Sequence, residues 1–217
     1  MALAIFDLDN TLIADDSDYL WGQFLVEKGV VDGDYYEREN SRFYDEYKSG
    51  NLNILEFLDF SLKPLADNSF KSLELWRKEF FDKKIKPILL PKALNSVEHH
   101  KTSGDHVMII TATNSFVTRP IADAYGINTL IATDPEWDGE AYTGHVSGTP
   151  CFQSGKVERL NLWLKEHHQT MDGSYFYSDS HNDLPLLERV SHPIAVDADE
   201  KLSAIAIERR WSQLSFR

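Results

Sequence analysis

The chain opens with a short apolar run and then changes to a helical pattern of hydrophobic residues. Residues 2–6 read Ala-Leu-Ala-Ile-Phe, which predicts a buried strand. Between residues 15 and 86, apolar and aromatic residues recur at helical spacing in four groups, which predicts four helices. The aromatic stripes are expected to form the core of a small helical bundle. Gly29 and Pro64 are expected to end the first and third of its helices.

From residue 87 onwards, short apolar strands alternate with amphipathic helices. Strands are predicted at 106–110, 129–132, 175–177 and 193–196, and helices at 93–101, 115–125, 155–167, 184–190 and 200–210. Asp138-Gly139 indicates a hairpin between two short strands. Strands that alternate with helices predict a parallel sheet covered on both faces. The expected fold class is therefore α/β, with a core at 1–14 and 87–217 and an inserted all-helical domain at 15–86.

Composition and charge narrow the class of protein. The 217 residues are 42% hydrophobic and 12% aromatic, which is enough for a packed, ordered protein. The net charge of −13 opposes binding to nucleic acid and anionic membranes, so neither is expected as a partner. A phosphate-bearing substrate would need local compensation by a metal, a lysine or helix N-termini. One cysteine, no signal-peptide pattern and no 18-residue apolar stretch favour a cytoplasmic location.

Two carboxylates follow the first predicted strand. Asp7 and Asp9 are two residues apart, and side chains in an extended chain alternate with period two, so both point to the same side. Like charges this close disfavour each other's ionisation unless a cation lies between them. Such a pair favours a hard metal, Mg²⁺, which prefers carboxylate oxygens. The same D-x-D-x-T pattern also occurs in solvated loops, so the interpretation depends on further segments.

Two of those segments supply a hydroxyl and an ammonium group. Thr111 follows the predicted strand 106–110, where its hydroxyl and adjacent backbone N–H groups are suited to a phosphoryl oxygen. Thr113 or Asn114 is expected to cap the next helix. Lys156 stands at the head of another helix, although a lone lysine is more often a solvated surface charge.

A second pair of acids follows the predicted strand 175–177. Asp179 and Asp183 are four residues apart across a turn, which lets both reach one cation, although Asp183 is also suited to cap a helix. His181, between them, is expected to be an exposed loop residue because no second histidine stands at ligand spacing. His99 and His100 are likewise expected at the surface.

Taken in order, these segments resemble the four motifs of the haloacid dehalogenase superfamily of phosphohydrolases. Asp7-Leu8-Asp9-Asn10-Thr11 is similar to the first motif, Thr111 to the second, Lys156 to the third, and Asp179 with Asp183 to the fourth. The resemblance extends over nearly the whole chain and implies a Rossmann-like three-layer core with a helical cap of type C1. It is strongest for the phosphoserine-phosphatase-like branch, subfamily IB, which includes bacterial histidinol-phosphate phosphatases.

The resemblance implies a Mg²⁺-dependent phosphomonoester hydrolase that acts through an aspartyl-phosphate. Asp7 would be the nucleophile and Asp9 the general acid and base, while Thr111 and Lys156 would stabilise the phosphoryl oxygens. The implied metal set is Asp7, Asp9 through its backbone carbonyl, Asp179 and Asp183, the last orienting either Lys156 or a metal-bound water.

Substrate preference, on the same resemblance, depends on a few positions. The branch has a Glu that meets the substrate's ammonium group, and this chain has Asp16 there, so a cation is expected to bind. The branch also has an arginine for the substrate's carboxylate, which Ser61 replaces here, with Lys63 as the nearby substitute. These features favour histidinol phosphate over phosphoserine. The implied substrate-binding residues are Asp16, Thr111, Ala112, Lys156 and Asn182.

Three other classes of protein share some of these residues. A receiver domain also uses strand-end aspartates, but it is about 120 residues long and lacks a helical insertion of this size. A phosphotransferase would use the same groups, and the sequence does not separate it from a phosphatase. A protein that only binds a partner is disfavoured because all four motifs are present. The sequence makes no prediction of the oligomeric state.

Overall fold

The computed structural model describes residues 2–217, and its centre is a seven-stranded sheet. The strands are β1 (Leu3–Phe6), β2 (His106–Asn114), β3 (Thr129–Trp137), β4 (Tyr142–Ser147), β5 (Tyr175–Ser178), β6 (His192–Val196) and β7 (Ser212–Leu214). Their spatial order is β4-β3-β2-β1-β5-β6-β7. Neighbouring strands are parallel except for β3 and β4, which pair in the antiparallel direction.

Five helices between β1 and β2 form an insertion, which we call the helical insertion. They are α1 (Ser17–Glu27), α2 (Gly33–Ser49), α3 (Ile54–Ser61), α4 (Lys63–Ala66) and α5 (Phe70–Phe80). The remaining α-helices are α6 (Pro91–Thr102), α7 (Ser115–Ala124), α8 (Ser154–Glu166), α9 (Leu184–Leu187) and α10 (Glu200–Arg209). Within residues 2–217, no helix has both the length and the apolar character needed to span a membrane.

Capping side chains mark where the helices of the insertion begin. Asp16, Asp32, Asn53 and Ser69 each precede a helix and accept a hydrogen bond from a backbone N–H group in its first turn. These bonds satisfy donors that a helix start leaves without a partner. Gly50 ends α2 with φ +82°, a left-handed conformation that glycine adopts without strain. The helices predicted for this part of the sequence therefore begin at defined capping residues, and α2 ends at a glycine.

Alternation along β1 divides the core between the two faces of the sheet. Ala4 and Phe6 belong to the cluster that includes residues of α6, α7 and the helical insertion. Leu3 and Ile5 belong to the second cluster, with residues of α8, α9 and α10. Because β1 is buried on both faces and lies between β2 and β5, its carboxyl end is central. In parallel sheets, ligands bind at the edge that the carboxyl ends of the strands form.

The α/β class and the inserted helices are confirmed, while one strand is longer than predicted and another was missed. The strand predicted at 106–110 continues to Asn114, so Thr111 lies within β2 and not after it. The hairpin predicted at Asp138-Gly139 is present, and it adds β4 as an antiparallel edge to an otherwise parallel sheet. Strand β7 was missed because its Ser-Gln-Leu sequence is exposed and carries no apolar run.

One local prediction about a side chain was wrong. His100, expected at the surface, is buried between Asp105 and Tyr177, with both ring nitrogens 2.8 Å from oxygen atoms of these residues. Polar partners on both sides allow an imidazole to be buried. The predicted end of the third helix near Pro64 is confirmed, since α3 ends at Ser61; Pro64 itself lies in the first turn of α4, where its missing N–H is not needed. The domain bounds 1–14, 15–86 and 87–217 stay a prediction.

Candidate active site

Asp7 is the first residue after β1, at the centre of the carboxyl edge of the sheet. Its backbone N–H donates to the Tyr177 carbonyl of β5 at 2.9 Å, which extends the strand pairing by one residue. The residue is 5% exposed, so its carboxylate is almost fully removed from bulk water. The parallel pairing of β1 with β5 thus fixes where this carboxylate points.

Lys156 is the partner of the Asp7 carboxylate. Its Nζ lies 2.8 Å from Oδ1 of Asp7 and 2.7 Å from Oδ1 of Asp183, and Ser178 donates to Asp183 Oδ2 at 2.7 Å. Burial alone would lower the pKa of Lys156, but the charges of Asp183 and Asp7 outweigh it and raise this pKa. Lys156 is therefore a buried ammonium group. The alternative interpretation of the sequence, a solvated lysine at the surface, does not apply.

The start of α8 is shaped by close backbone packing that only glycine permits. A Cβ atom on Gly155 would lie 2.0 Å from the carbonyl oxygen of Pro150, which no side chain allows. Gln153, immediately before the helix, has φ +48°. This turn brings the first residues of α8 under the sheet edge and directs Lys156 toward Asp7.

Asp9 is held on both of its carboxylate oxygens. Its Oδ1 accepts from the Ser17 backbone N–H at 2.6 Å, and its Oδ2 accepts from the hydroxyls of Thr113 at 2.8 Å and Thr111 at 3.4 Å. Burial raises the pKa of Asp9 to about 6, with a further contribution from the charge of Asp16. A carboxyl group with such a pKa exchanges a proton readily near neutral pH.

Thr113 was missed as a site residue because the sequence treated it only as a helix cap. The cap is Asn114, whose Oδ1 accepts from the Val117 backbone N–H at 3.1 Å. Thr111 and Thr113 are two residues apart in the extended β2, so their hydroxyls lie on the same side and both reach Asp9. Their spacing was the signal in the sequence that would have found Thr113.

Asp179, after β5, is connected to the first motif through Thr11. Thr11 Oγ1 donates to Asp179 Oδ1 at 3.3 Å and accepts from the Asp179 backbone N–H at 3.1 Å. Burial and the charge of Asp7 raise the pKa of Asp179 well above its usual range. Burial likewise raises the pKa of Asp7 to about 7, although the ammonium of Lys156 opposes the rise. The two carboxyl groups therefore repel each other.

This donor set fits a divalent cation. Asp7, Asp179 and Asp183 bring three carboxylates together with one ammonium group, that of Lys156, and carboxylate oxygens suit Mg²⁺. In residues 2–217 no three His, Cys, Asp or Glu side chains form a metal-binding group by themselves, so a cation here would need further oxygen donors. Asp7 and Asp179 are the side chains that would hold it, with the Asp9 carbonyl as one such further donor. The contacts of Asp183 favour the role of orienting Lys156.

A cleft, partly open to solvent, extends from these groups toward the helical insertion. Its lining comprises Asp7, Asp9, Asp16, Asp18, Tyr19, Asn40, Phe43, Tyr44, Tyr47, Leu52, Ile54, Phe57, Thr111, Ala112, Thr113, Phe152 and Lys156. The prediction that the aromatic stripes are core is thus only partly right. Tyr44, Tyr47 and Phe57 belong to the wall of the cleft, whereas Trp21 and Phe80 are fully buried.

Three predicted substrate-binding residues occupy different positions around this cleft. Asp16 lines it, and its Oδ1 accepts from the backbone N–H groups of Asp18 and Tyr19, both at 2.9 Å. Ala112 also lines it. Asn182 is not part of this lining. Its side chain donates to the Tyr47 carbonyl and accepts from Gln153, both at 3.0 Å.

Neither Ser61, which takes the place of the arginine, nor Lys63, its expected substitute, lines the cleft. Ser61 is buried, and its hydroxyl has no hydrogen-bond partner among residues 2–217. The side chain of Lys63 is 71% exposed and lies 3.7 Å from Asp67. The expected substitution of the arginine by Lys63 is therefore wrong, and Lys156 is the only lysine or arginine in the described lining.

Asp18 and Asn40 are lining residues that sequence reasoning missed. Asp18 lies in the first turn of α1, where an acidic residue is already explained by the helix dipole. Burial raises its pKa to about 7, with a contribution from the charge of Asp9. Asn40 lies within the polar sequence of α2, and nothing in that sequence distinguishes it from a solvated residue.

Fold and site together define a hydrolase of a known family. Residues 4–188 match the family of haloacid dehalogenase-like hydrolases. The chain belongs to this family, and it is a phosphatase.

Three known proteins are similar to this chain over nearly its whole length. A histidinol-phosphatase of Neisseria meningitidis serogroup C (strain 8013) is 44% identical over 219 residues, which cover 99% of each chain. A protein of unknown function from Bordetella pertussis Tohama I has a crystal structure with a TM-score of 0.94 and 43% identity, covering 100% of this chain and 99% of that one. A phosphoserine phosphatase, solved as a phospho-aspartyl intermediate analogue, has a TM-score of 0.72 at 18% identity, covering 100% of this chain and 93% of that one, which shows a shared fold.

Proposed function

We propose that this phosphatase is Mg²⁺-dependent and hydrolyses small amine-bearing phosphomonoesters through an aspartyl-phosphate, with histidinol phosphate as the favoured substrate. The observation that carries the proposal is the buried Asp7–Lys156 pair beside Asp179, at the end of a cleft whose lining also includes Asp16 and Asp18. The 44% identical relative named histidinol-phosphatase supports the choice of substrate. The single buried Cys151 supports a cytoplasmic location.

Asp7 is the proposed nucleophile. Its carboxylate attacks phosphorus, and the ester oxygen leaves, so that one difficult displacement is divided into two easier ones. Its Oδ1 is held by Lys156 at 2.8 Å, which fixes the carboxylate's orientation. When bound, Mg²⁺ supplies the positive charge that lets an anionic carboxylate approach an anionic ester.

Lys156 and Thr111 are proposed to stabilise the phosphoryl oxygens. Lys156 is buried and positively charged, so its field is little screened by water. Asp183 and Ser178 keep the ammonium in position through two consecutive hydrogen bonds. Loss of one such charge-stabilising donor commonly costs about 10²–10³ in rate.

Asp9 is proposed to move the proton. In the first step it gives a proton to the leaving alkoxide, and in the second it takes one from the water that hydrolyses the aspartyl-phosphate. Its pKa, raised to about 6, suits both directions near neutral pH. The hydrogen bonds from Ser17 and Thr113 hold its carboxylate in place between the steps.

The charges in the cleft support a cationic substrate without a carboxylate. Asp16 and Asp18 would attract an ammonium group, whereas Lys156 is already paired with Asp7 and Asp183. A carboxylate such as that of phosphoserine would meet no arginine or second lysine in the described lining. Phosphoserine is therefore the second candidate, and transfer of the phosphoryl group to another acceptor is the alternative reaction.

A panel of phosphomonoesters tests this proposal. Phosphate release would be measured with histidinol phosphate, phosphoserine and p-nitrophenyl phosphate, each with Mg²⁺ and again with a chelator. We expect release from all that fit the cleft, kcat/KM at least about tenfold higher for histidinol phosphate than for phosphoserine, and loss of activity on chelation. Preference for phosphoserine would overturn the substrate, and activity in chelator would overturn the metal. Release of the substrate's alcohol without inorganic phosphate, and only when an acceptor alcohol is present, would identify a phosphotransferase.

A further inference from the structure

The cleft contains a second acidic side chain whose surroundings differ from those of Asp16. Oδ1 of Asp16 accepts two backbone hydrogen bonds and so serves to cap α1. Asp18 accepts one hydrogen bond, at 3.3 Å, from Nδ2 of Asn114 to its Oδ1, and its Oδ2 has no partner within residues 2–217. Asp18 lines the cleft together with residues of α2, which form one of its sides.

On that side, Asn40 of α2 is a buried amide with an unused acceptor. It is 7% exposed, and its Nδ2 donates to the Tyr19 carbonyl at 3.2 Å. Gly22 permits this position, because a Cβ atom there would lie 2.9 Å from Nδ2. Oδ1 of Asn40 accepts from no group in residues 2–217, although the residue lines the cleft. This oxygen is not among the fully enclosed side-chain atoms that lack a partner in residues 2–217, so it is open to the cleft, where a ligand N–H group can reach it.

Aromatic rings complete this part of the cleft. The rings of Tyr19 and Tyr44 have centroids 5.4 Å apart, and those of Phe43 and Phe57 are 5.3 Å apart. Aromatic faces favour planar cationic groups as well as apolar ones. The free oxygens of Asp18 and Asn40 therefore lie among aromatic rings. Such surroundings suit a ligand whose planar ring carries N–H donors and a positive charge.

We propose that Asp18 and Asn40 form a specificity site for a cationic, N–H-bearing ring on the substrate alcohol, separate from the ammonium site at Asp16. This inference rests on the proposed function. Histidinol phosphate carries both groups: an ammonium on the carbon next to the ester methylene, and an imidazole one carbon further out. Asp18 and Asn40 accept hydrogen bonds from the ring, and Asp16 receives the ammonium group.

Three esters separate these sites. Histidinol phosphate has the ammonium and the ring, phosphoethanolamine has the ammonium alone, and p-nitrophenyl phosphate has neither. We expect Asp18→Asn to lower the ratio of kcat/KM for histidinol phosphate to that for phosphoethanolamine by about 10-fold or more, as loss of a charged hydrogen bond does. Asp16→Asn should instead lower kcat/KM for both amines relative to p-nitrophenyl phosphate. Asp34→Asn, at an exposed position of α2, removes the same charge and should leave all ratios unchanged.

Inhibition by histidinol provides a second measurement that does not depend on its ester being turned over. With p-nitrophenyl phosphate as substrate, the inhibition constant of histidinol should rise about tenfold in Asp18→Asn, and turnover of the aryl ester shows that the variant is folded. An unchanged inhibition constant, or equal losses with histidinol phosphate and phosphoethanolamine, would overturn the specificity site. Wild-type protein that hydrolyses none of the three esters with Mg²⁺ would instead overturn the proposed function.

Discussion

At the scale of single residues, the cleft is unusual in how many carboxyl groups it keeps away from water. The pKa values of Asp7, Asp16 and Asp18 are raised to about 7, chiefly by burial, and that of Asp9 to about 6. Ionising these groups in the folded protein is unfavourable unless a cation is bound. Buried carboxyl groups that lower the stability of the folded protein are expected to serve binding or catalysis.

The substitution Asp18→Asn tests whether ionisation of this buried carboxyl group lowers the stability of the folded protein. The folded state keeps a proton on Asp18 up to pH of about 7, whereas the unfolded chain releases it near 3.8, so stability is lost as pH rises through this interval. Asparagine does not ionise, so we expect a Tm about 10 °C above wild type at pH 8 and nearly equal to it at pH 4, in chelator. A change of the same size at both pH values would show that ionisation of Asp18 is not the cause.

The residues predictable from the sequence were those that follow strong apolar strands. Asp7, Asp9 and Asp179 stand after buried strands, and the structure places their segments at one edge of the sheet. Thr113 and Asp18 escaped prediction because short polar residues at helix starts already have an explanation as caps. Asn40 escaped because burial of a polar residue depends on which helix packs opposite, here α1 with Gly22.

At the scale of elements, the position of Lys156 depends on how α8 begins. The turn before α8 places the Pro150 carbonyl against Gly155, one residue before the lysine. The helical spacing of apolar residues predicted that α8 exists. It did not predict the contact between Pro150 and Gly155, because that contact joins the backbone of a loop to the backbone at the start of a helix. The longer β2 was also not predictable, since its end is polar and pairs with β3 only at Thr133 after a register shift.

Gly155→Ala is expected to disturb the site through the backbone. A Cβ atom 2.0 Å from a carbonyl oxygen forces the start of α8 to move, and overpacking of this kind typically costs about 1–3 kcal/mol. We expect a Tm lower by about 3–10 °C and phosphatase activity reduced at least about tenfold. The matched control is Gly33→Ala at the start of α2, where the new Cβ would meet Val26 at an ordinary 3.4 Å. Equal effects of the two substitutions would contradict this account.

At the scale of the whole molecule, the helical insertion and the sheet edge together enclose the reaction site. The Tyr47 carbonyl accepts from Asn182, and the Ser49 carbonyl accepts from Lys201, both at 3.0 Å, so the end of α2 contacts the segment after β5 and the start of α10. A chain with a net charge of −13 repels an anionic substrate at long range. Local positive charge, from Lys156 and the proposed Mg²⁺, is therefore expected to decide where phosphate binds.

Binding of Mg²⁺ should be visible in stability, independently of turnover. A ligand that binds only the folded state at about 100 times its Kd adds about 2.7 kcal/mol, which corresponds to a rise in Tm of about 5–10 °C. We expect this rise at neutral pH in wild type and in the control Asp34→Asn, and its loss in Asp179→Asn. A rise in Asp179→Asn as large as that in wild type would place the metal elsewhere.

The most direct test of the central claim is the rate of phosphate release from histidinol phosphate by Asp7→Asn at saturating Mg²⁺. Asparagine retains an oxygen for the contact with Lys156, so the fold should persist, which an undiminished Tm would verify. Because the amide is a poor nucleophile, we expect the rate to fall by about 10³ or more relative to wild type. A folded Asp7→Asn protein that kept more than a few per cent of wild-type activity would contradict the assignment of Asp7 as the nucleophile.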